Sequence, residues 1–153
     1  MDDGDIAIGL AAPRCWKPQQ VLPWWRQPKN YRETLQMATT VEVLATAFKE
    51  AGTPFIVGHP GGESVELMEA ARQRQMRFLL MKQEVAGAML ASTWGDLTGS
   101  PGICLSTRGP GAANMVNGVA HAFLDRSPLI AITDTYSRPT FETGLRQRIN
   151  QQA

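Results

Sequence analysis

Four short apolar runs, "PFIV" (54–57), "RFLLM" (77–81), "GICLST" (102–107) and "PLIAIT" (128–133), constrain this chain more than any other feature. Each is too short for a core helix and too uniformly apolar for a strand wetted on one side. Between them the apolar period changes to that of helices. Thr39 and Glu42 have the spacing of a capping box, and Val41, Leu44, Ala45 and Phe48 then form one face until Gly52. Further helix patterns run from Val65 to about Gln75, from Glu84 to about Trp94, and through small residues to about Phe123. Strands buried on both faces and alternating with helices pair in parallel through right-handed crossovers. The predicted fold class is α/β: a doubly wound, open, mainly parallel sheet with helices on both faces.

A chain of 153 residues is one domain's worth, and such a domain buries roughly 70% of its unfolded surface without staples. Fifteen basic residues stand against 14 acidic ones with no long run of either sign. That argues against a phosphate-neutralising surface, so no nucleic-acid partner is expected. No apolar run has membrane-spanning length, and "MDDGDIAIGL" is acidic where a signal peptide is basic. Cys15 and Cys104 are far apart and form no CxxC, which leaves a reducing cytoplasm as the expected compartment.

The two ends differ from the middle. Residues 1–36 hold Trp16, Trp24 and Trp25 and four of the ten prolines, with no sustained period. They read as an irregular, poorly ordered extension, or as a partner-binding tail anchored by its tryptophans. The regular domain is expected over 37–153, with Met37 a candidate natural start. After Thr133 the text turns polar, with neither a capping glycine nor a closing strand. It reads as a loose tail or as the interior of a longer enzyme.

Ligands of open parallel sheets sit beyond the carboxyl ends of the strands. Three features fall there: the loop "GHPGG" (58–62), "KQE" (82–84) and the loop "RGPGAAN" (108–114). Glycines let backbone approach a ligand, and helix N-termini offer free N–H groups. Neither loop fits the dinucleotide or P-loop pattern, and no metal-ligand cluster or nucleophile elbow is present. His59 sits where a ligand could meet it, whereas His121 reads as a packing residue on its helix. Asp125 and Arg126 read as a turn with a local ion pair, and Arg108 as an exposed loop arginine able to contact an anion. Spacing alone makes Glu84 a first-turn acid that complements the helix dipole, a stabilisation of ~0.3–1 kcal/mol.

The order of these pieces over about 37–152 resembles the N-terminal, pyrimidine-binding domain of thiamine-diphosphate enzymes of the acetolactate synthase superfamily. "GHPGG" is similar to the family's F-G-x-P-G-G loop. "STRGPGAANMVNGVAHAFLDRSPLIAIT" is similar to its T-S-G-P-G-A-T-N stretch, with the G-I-A-x-A-x-x-D and I-T segments beyond it. "QRIN" (147–150) resembles the subsequent F-Q-E-x-D segment, and the interval from Glu84 to Gly102 matches without a gap.

The resemblance implies that Glu84 is the catalytic glutamate, hydrogen-bonding N1′ of the cofactor's aminopyrimidine and so activating it for attack on a 2-keto acid. It implies that Gly58, His59, Pro60, Gly61, Gly62, Gly109, Pro110, Gly111, Asn114 and Gln147 line the pyrimidine end of that site. Gln83 stands where many members have histidine. Nothing resembles the G-D-G…N motif, so Mg²⁺ and the diphosphate are expected on a missing domain or a partner. FAD, which some members bind largely through their central domain, has no residue assigned to it here. The implied partners are a second copy or a diphosphate-binding domain or subunit. Three roles are open: part of a lyase or carboligase inactive alone, a complete small subunit of a split decarboxylase, or an interaction module that kept the fold.

Overall fold

The computed structural model describes residues 38–151. The expectations for residues 1–36, including the tryptophan-rich extension, and for Met37 as a start lie outside the described residues.

Helix α1 (Thr40–Glu50) begins where the Glu42 carboxylate accepts hydrogen bonds from the Thr39 amide (2.7 Å) and hydroxyl (2.9 Å). Those bonds hold the Glu42 carboxyl below its ordinary range. Next in the chain are β1 (Phe55–His59), a single 3-10 turn at Gly62–Ser64, α2 (Val65–Gln73), β2 (Arg77–Leu80) and α3 (Glu84–Thr98). Then come β3 (Gly102–Ser106), α4 (Pro110–Asp125), β4 (Leu129–Thr133) and the short α5 (Arg138–Phe141).

The strands form one parallel sheet in the order β2-β1-β3-β4, with Ile56 opposite Phe78, Val57 opposite Cys104 and Ile103 opposite Ile130. The fold is therefore the doubly wound α/β class predicted from the apolar runs. Alternation along each strand deals side chains to two cores. Ile56, Ile103 and Leu105 join Phe48 of α1 and Leu67, Ala70 and Ala71 of α2. Val57, Cys104 and Leu129 meet Ala88 and Ala91 of α3 and Met115 and Ala122 of α4 on the other face. Burying a residue such as Ile56 or Leu105 fully contributes about 1.5–3 kcal/mol. The chain moves one way across the sheet from β1 to β2 and the other way from β2 to β3 and β4. Helices change face at that reversal, as a single crossover hand requires.

Some boundaries depart from the sequence reading. Gly58 and His59 are not loop: β1 continues through them, pairing Gly58 with Leu80 and Leu105 and His59 with Ser106. Helix α3 runs past Trp94 to Thr98, where Gly99 takes a left-handed C-cap conformation (φ 72°). Helix α4 starts inside the anticipated loop, at Pro110, because proline in the first helical position gives up an N–H that would have no partner. The polar C-terminal run folds back on the strand ends. The Tyr136 hydroxyl donates to the Arg146 carbonyl (2.6 Å), and Gln151 Nε2 donates to the Asp134 carbonyl (3.3 Å).

Candidate active site

The reversal of chain direction falls between β1 and β3, which are neighbours in the sheet. Their carboxyl ends mark the topological switch point, the crevice position at which open α/β sheets take their ligands. Backbones are close there: a Cβ on Gly58 would lie 1.9 Å from the Leu105 carbonyl oxygen. Beyond β1 the chain turns at Gly61, whose amide donates to Ser64 Oγ (3.0 Å). Beyond β3, Gly109 caps α4 at φ 66°, ψ −112°. A Cβ on Gly109 would meet the Gln147 carbonyl oxygen at 2.0 Å, so both conformation and space require glycine.

Glu84 is the first residue of α3 and is half-buried. It reaches the crevice because α3 and α4 pack almost backbone to backbone. A Cβ on Gly118 of α4 would lie 2.5 Å from Ala88 Cβ and 2.9 Å from the Val85 carbonyl oxygen of α3. Their N-terminal turns consequently stand side by side, and Asn114 Nδ2 donates a hydrogen bond to Glu84 Oε2. That bond leaves Glu84 Oε1 directed at Gly111, where an added Cβ would be 3.3 Å away. Below them Ser106 is fully buried, and its hydroxyl has no partner among the described residues.

The carried-over residues divide. Glu84, Asn114 and Gly111 are brought together, and Gly61 joins them through Thr107. The Thr107 methyl would be 2.3 Å from a Cβ on Gly61, and its hydroxyl 2.6 Å from one on Gly111. Gly109 and Pro110 form the start of α4, and Gln147 meets Gly109 through its carbonyl. His59 is exposed and commits Nδ1 to the Met81 carbonyl (2.9 Å). Pro60 is half-buried beside it, and Gly62 has open space where a side chain would go.

Three lesser readings change. His121 is not packed: its side chain is half exposed and its Nδ1 lies 3.1 Å from Asp125 Oδ2. Asp125 thus pairs along the helix at i,i+4 rather than with Arg126, which caps α4 in the left-handed region (φ 60°). Arg108 is only 16% exposed, ion-paired to Glu63 and stacked over Tyr136 with 4.3 Å from its guanidinium carbon to the ring centroid. Sequence reasoning misses Glu63, Tyr136, Thr107 and Ser106 as site residues. Only Ser106 and Thr107 carry a sequence signal, because they open the stretch "STRGPGAAN" that resembles the family pattern.

Two shifted groups lie near the crevice. Burial pushes the Cys104 thiol up to about 12, with Met115 Sδ 3.3 Å away, so it is an inert core residue. Burial, and then the charge of Glu63, raises the Asp134 carboxyl.

Comparison with known proteins adds a decisive observation. Residues 38–153 match the model of the thiamine pyrophosphate enzyme, N-terminal TPP binding domain. The chain belongs to this family. Its TPP-binding domain is 39% identical over 107 residues to the chloroplastic acetolactate synthase of Arabidopsis thaliana, covering 69% of this chain and 16% of that enzyme. It is 35% identical over 104 residues to the large subunit of acetolactate synthase isozyme 2 of Escherichia coli (68% and 19%). It is 31% identical over 126 residues to an acetolactate synthase of Arthrospira platensis (80% and 22%). The TPP domain thus spans about a fifth of the length of these relatives. Among the described residues no helix is long and apolar enough to cross a membrane.

Proposed function

We propose that this TPP domain supplies the pyrimidine-side half of the active site of an acetolactate-synthase-like enzyme acting on 2-keto acids, with Glu84 as the acid that activates the cofactor. The observation that carries the reading is the Glu84–Asn114 hydrogen bond at the switch point. A carboxylate is held at a defined angle by a side chain of the Gly-Pro-Gly helix, with one oxygen engaged and the other free.

When bound, thiamine diphosphate supplies the electron sink for making or breaking a carbon–carbon bond next to a keto group. The residues present suit its aminopyrimidine. Glu84 Oε1 can accept or return a proton at a ring nitrogen, and Asn114 fixes the carboxylate's orientation through Oε2. The unpartnered Ser106 hydroxyl offers a further polar contact at the crevice floor. Gly111 keeps the space beside Oε1 open. Gly58, Pro60, Gly61, Gly109 and Pro110 line the same end, with His59, Gly62 and Gln147 at its margin.

Among the described residues no group of three or more His, Cys, Asp or Glu can hold a metal ion. As part of this proposal, Mg²⁺ and the diphosphate are assigned to another domain or subunit. Exposed apolar side chains on α3 and α4, among them Leu97, Val116, Phe123 and Leu124, offer a surface for such a partner or a second copy. A buried free thiol at Cys104 suits a reducing compartment, for which the cytoplasm is our assignment.

Calorimetric titration of thiamine diphosphate with Mg²⁺ tests the reading. The expected result is no saturable binding to this chain alone, saturable binding once a diphosphate-binding partner is added, and loss of that binding or activation in Glu84→Ala. Micromolar binding by the chain alone, or none in the complex, would overturn it.

A further inference from the structure

Arg108 stands immediately before Gly109, and Glu63 immediately after Gly62, 45 residues apart in sequence. They form an ion pair in which the Arg108 side chain is 16% exposed and the Glu63 side chain 28% exposed. The same guanidinium lies over the Tyr136 ring, from the segment after β4. Tyr136 is itself fixed, by its hydrogen bond to the Arg146 carbonyl and by Gly144, where a Cβ would lie 2.6 Å from the ring. The half-buried Asp134 carboxyl faces the same pair, and the charges of Glu63 and Arg108 act on it in opposite directions. One arginine thus touches the segments beyond β1, β3 and β4. At the corresponding place the family pattern T-S-G-P-G carries a short serine, which cannot span that distance.

We propose that Arg108 is a positioning residue that fixes the separation of the two glycine turns, 61–64 and 109–114, by bridging Glu63 to Tyr136. The pair costs desolvation, and its energy is realised only if the turns hold this spacing. Cation–π contact with Tyr136 removes the remaining freedom of the guanidinium and keeps its plane aimed at Glu63. Gly61 is already pressed on Thr107, so a change in the Glu63–Arg108 distance moves both walls of the crevice together. The link from this bridge to cofactor affinity rests on the function proposed above; the bridge itself does not.

The test is amide hydrogen exchange on the whole chain, read by mass spectrometry, with no cofactor present. Gly61, Ser64, Gly109 and Ala113 amides are all hydrogen-bonded, to Ser64 Oγ, the Gly61 carbonyl, Gln151 Oε1 and the Gly109 carbonyl respectively, so exchange reports opening of each turn. Arg108→Met is expected to speed exchange in both turns by about tenfold while leaving the α1–α2 amides unchanged. Arg108→Lys, which keeps charge but not the plane over Tyr136, should fall between. If Arg108→Met does not fold, Glu63→Gln and Tyr136→Leu must each loosen both turns. Acceleration in one turn only, across the whole chain, or nowhere would overturn the proposal. In a complex that binds thiamine diphosphate, Arg108→Met should also weaken that binding. Wild-type failure to bind would count against the proposed function and leave the exchange result standing.

Discussion

The two faces of the sheet are packed on different plans. The α1–α2 face is filled with large side chains: Phe48, Leu67, Met76, Ile56, Ile103 and Leu105. The α3–α4 face relies on small ones, with Ala88, Ala91, Gly87, Gly95 and Gly118 letting backbones touch. Bulk on the first face holds the sheet against its helices. Thinness on the second brings the first turns of two helices close enough for Glu84 and Asn114 to bond. The bulky core and the proposed site thus lie on opposite sides of the same four strands.

The largest effect that separates the two comes from truncating the bulky face. Phe48→Ala should cost about 3–5 kcal/mol in denaturant unfolding, while the Glu84–Asn114 pair keeps its geometry in the surviving folded fraction. Gly118→Val should cost less stability, about 1–3 kcal/mol, yet disturb the site more, because the added carbons must push α3 and α4 apart. Side-chain amide NMR of Asn114 would record that loss; an unchanged Asn114 signal would mean that close helix packing does not set the pair. Asn114→Ala should change stability by roughly 1 kcal/mol or less, since the pair is solvent-accessible, and act on the orientation of Glu84 alone.

The smallest effect is a pH dependence at the crevice rim. Asp134 has its folded-state pKa raised from the ordinary value of 3.8, so the folded chain binds more protons than the unfolded one above that pH. Its contribution therefore favours folding at low pH and is lost as pH rises through the raised value. Asp134→Asn should gain stability relative to the native chain across that window, by thermal melts at stepped pH. A difference independent of pH would contradict the assignment to burial.

Much of this is legible in the sequence because the deciding signals are local. The four apolar runs become the four strands, and Thr39 with Glu42 marks the first helix start. The glycine turns and Glu84 emerge from order and interval along the chain. What escapes depends on distance. Gly58 and His59 look like loop residues, yet partner strands on both sides of β1 draw them into the sheet. Pro110 looks like turn chemistry and instead opens a helix. Arg108 looks like an exposed arginine because Glu63 and Tyr136, which bury it, lie 45 and 28 residues away. His121 falls off the buried stripe of Gly111, Met115, Gly118 and Ala122, and that stripe is defined by the packing of α3, not by the helix itself.

The proposed role of Glu84 in activating the cofactor is tested by the exchange rate of the cofactor's C2 proton. Quenched-flow NMR would record it in the complex completed with a diphosphate-binding partner. Glu84→Gln is expected to slow this exchange by on the order of 100-fold or more, the contribution of a positioned acid–base group. Exchange at close to the native rate in Glu84→Gln would contradict it.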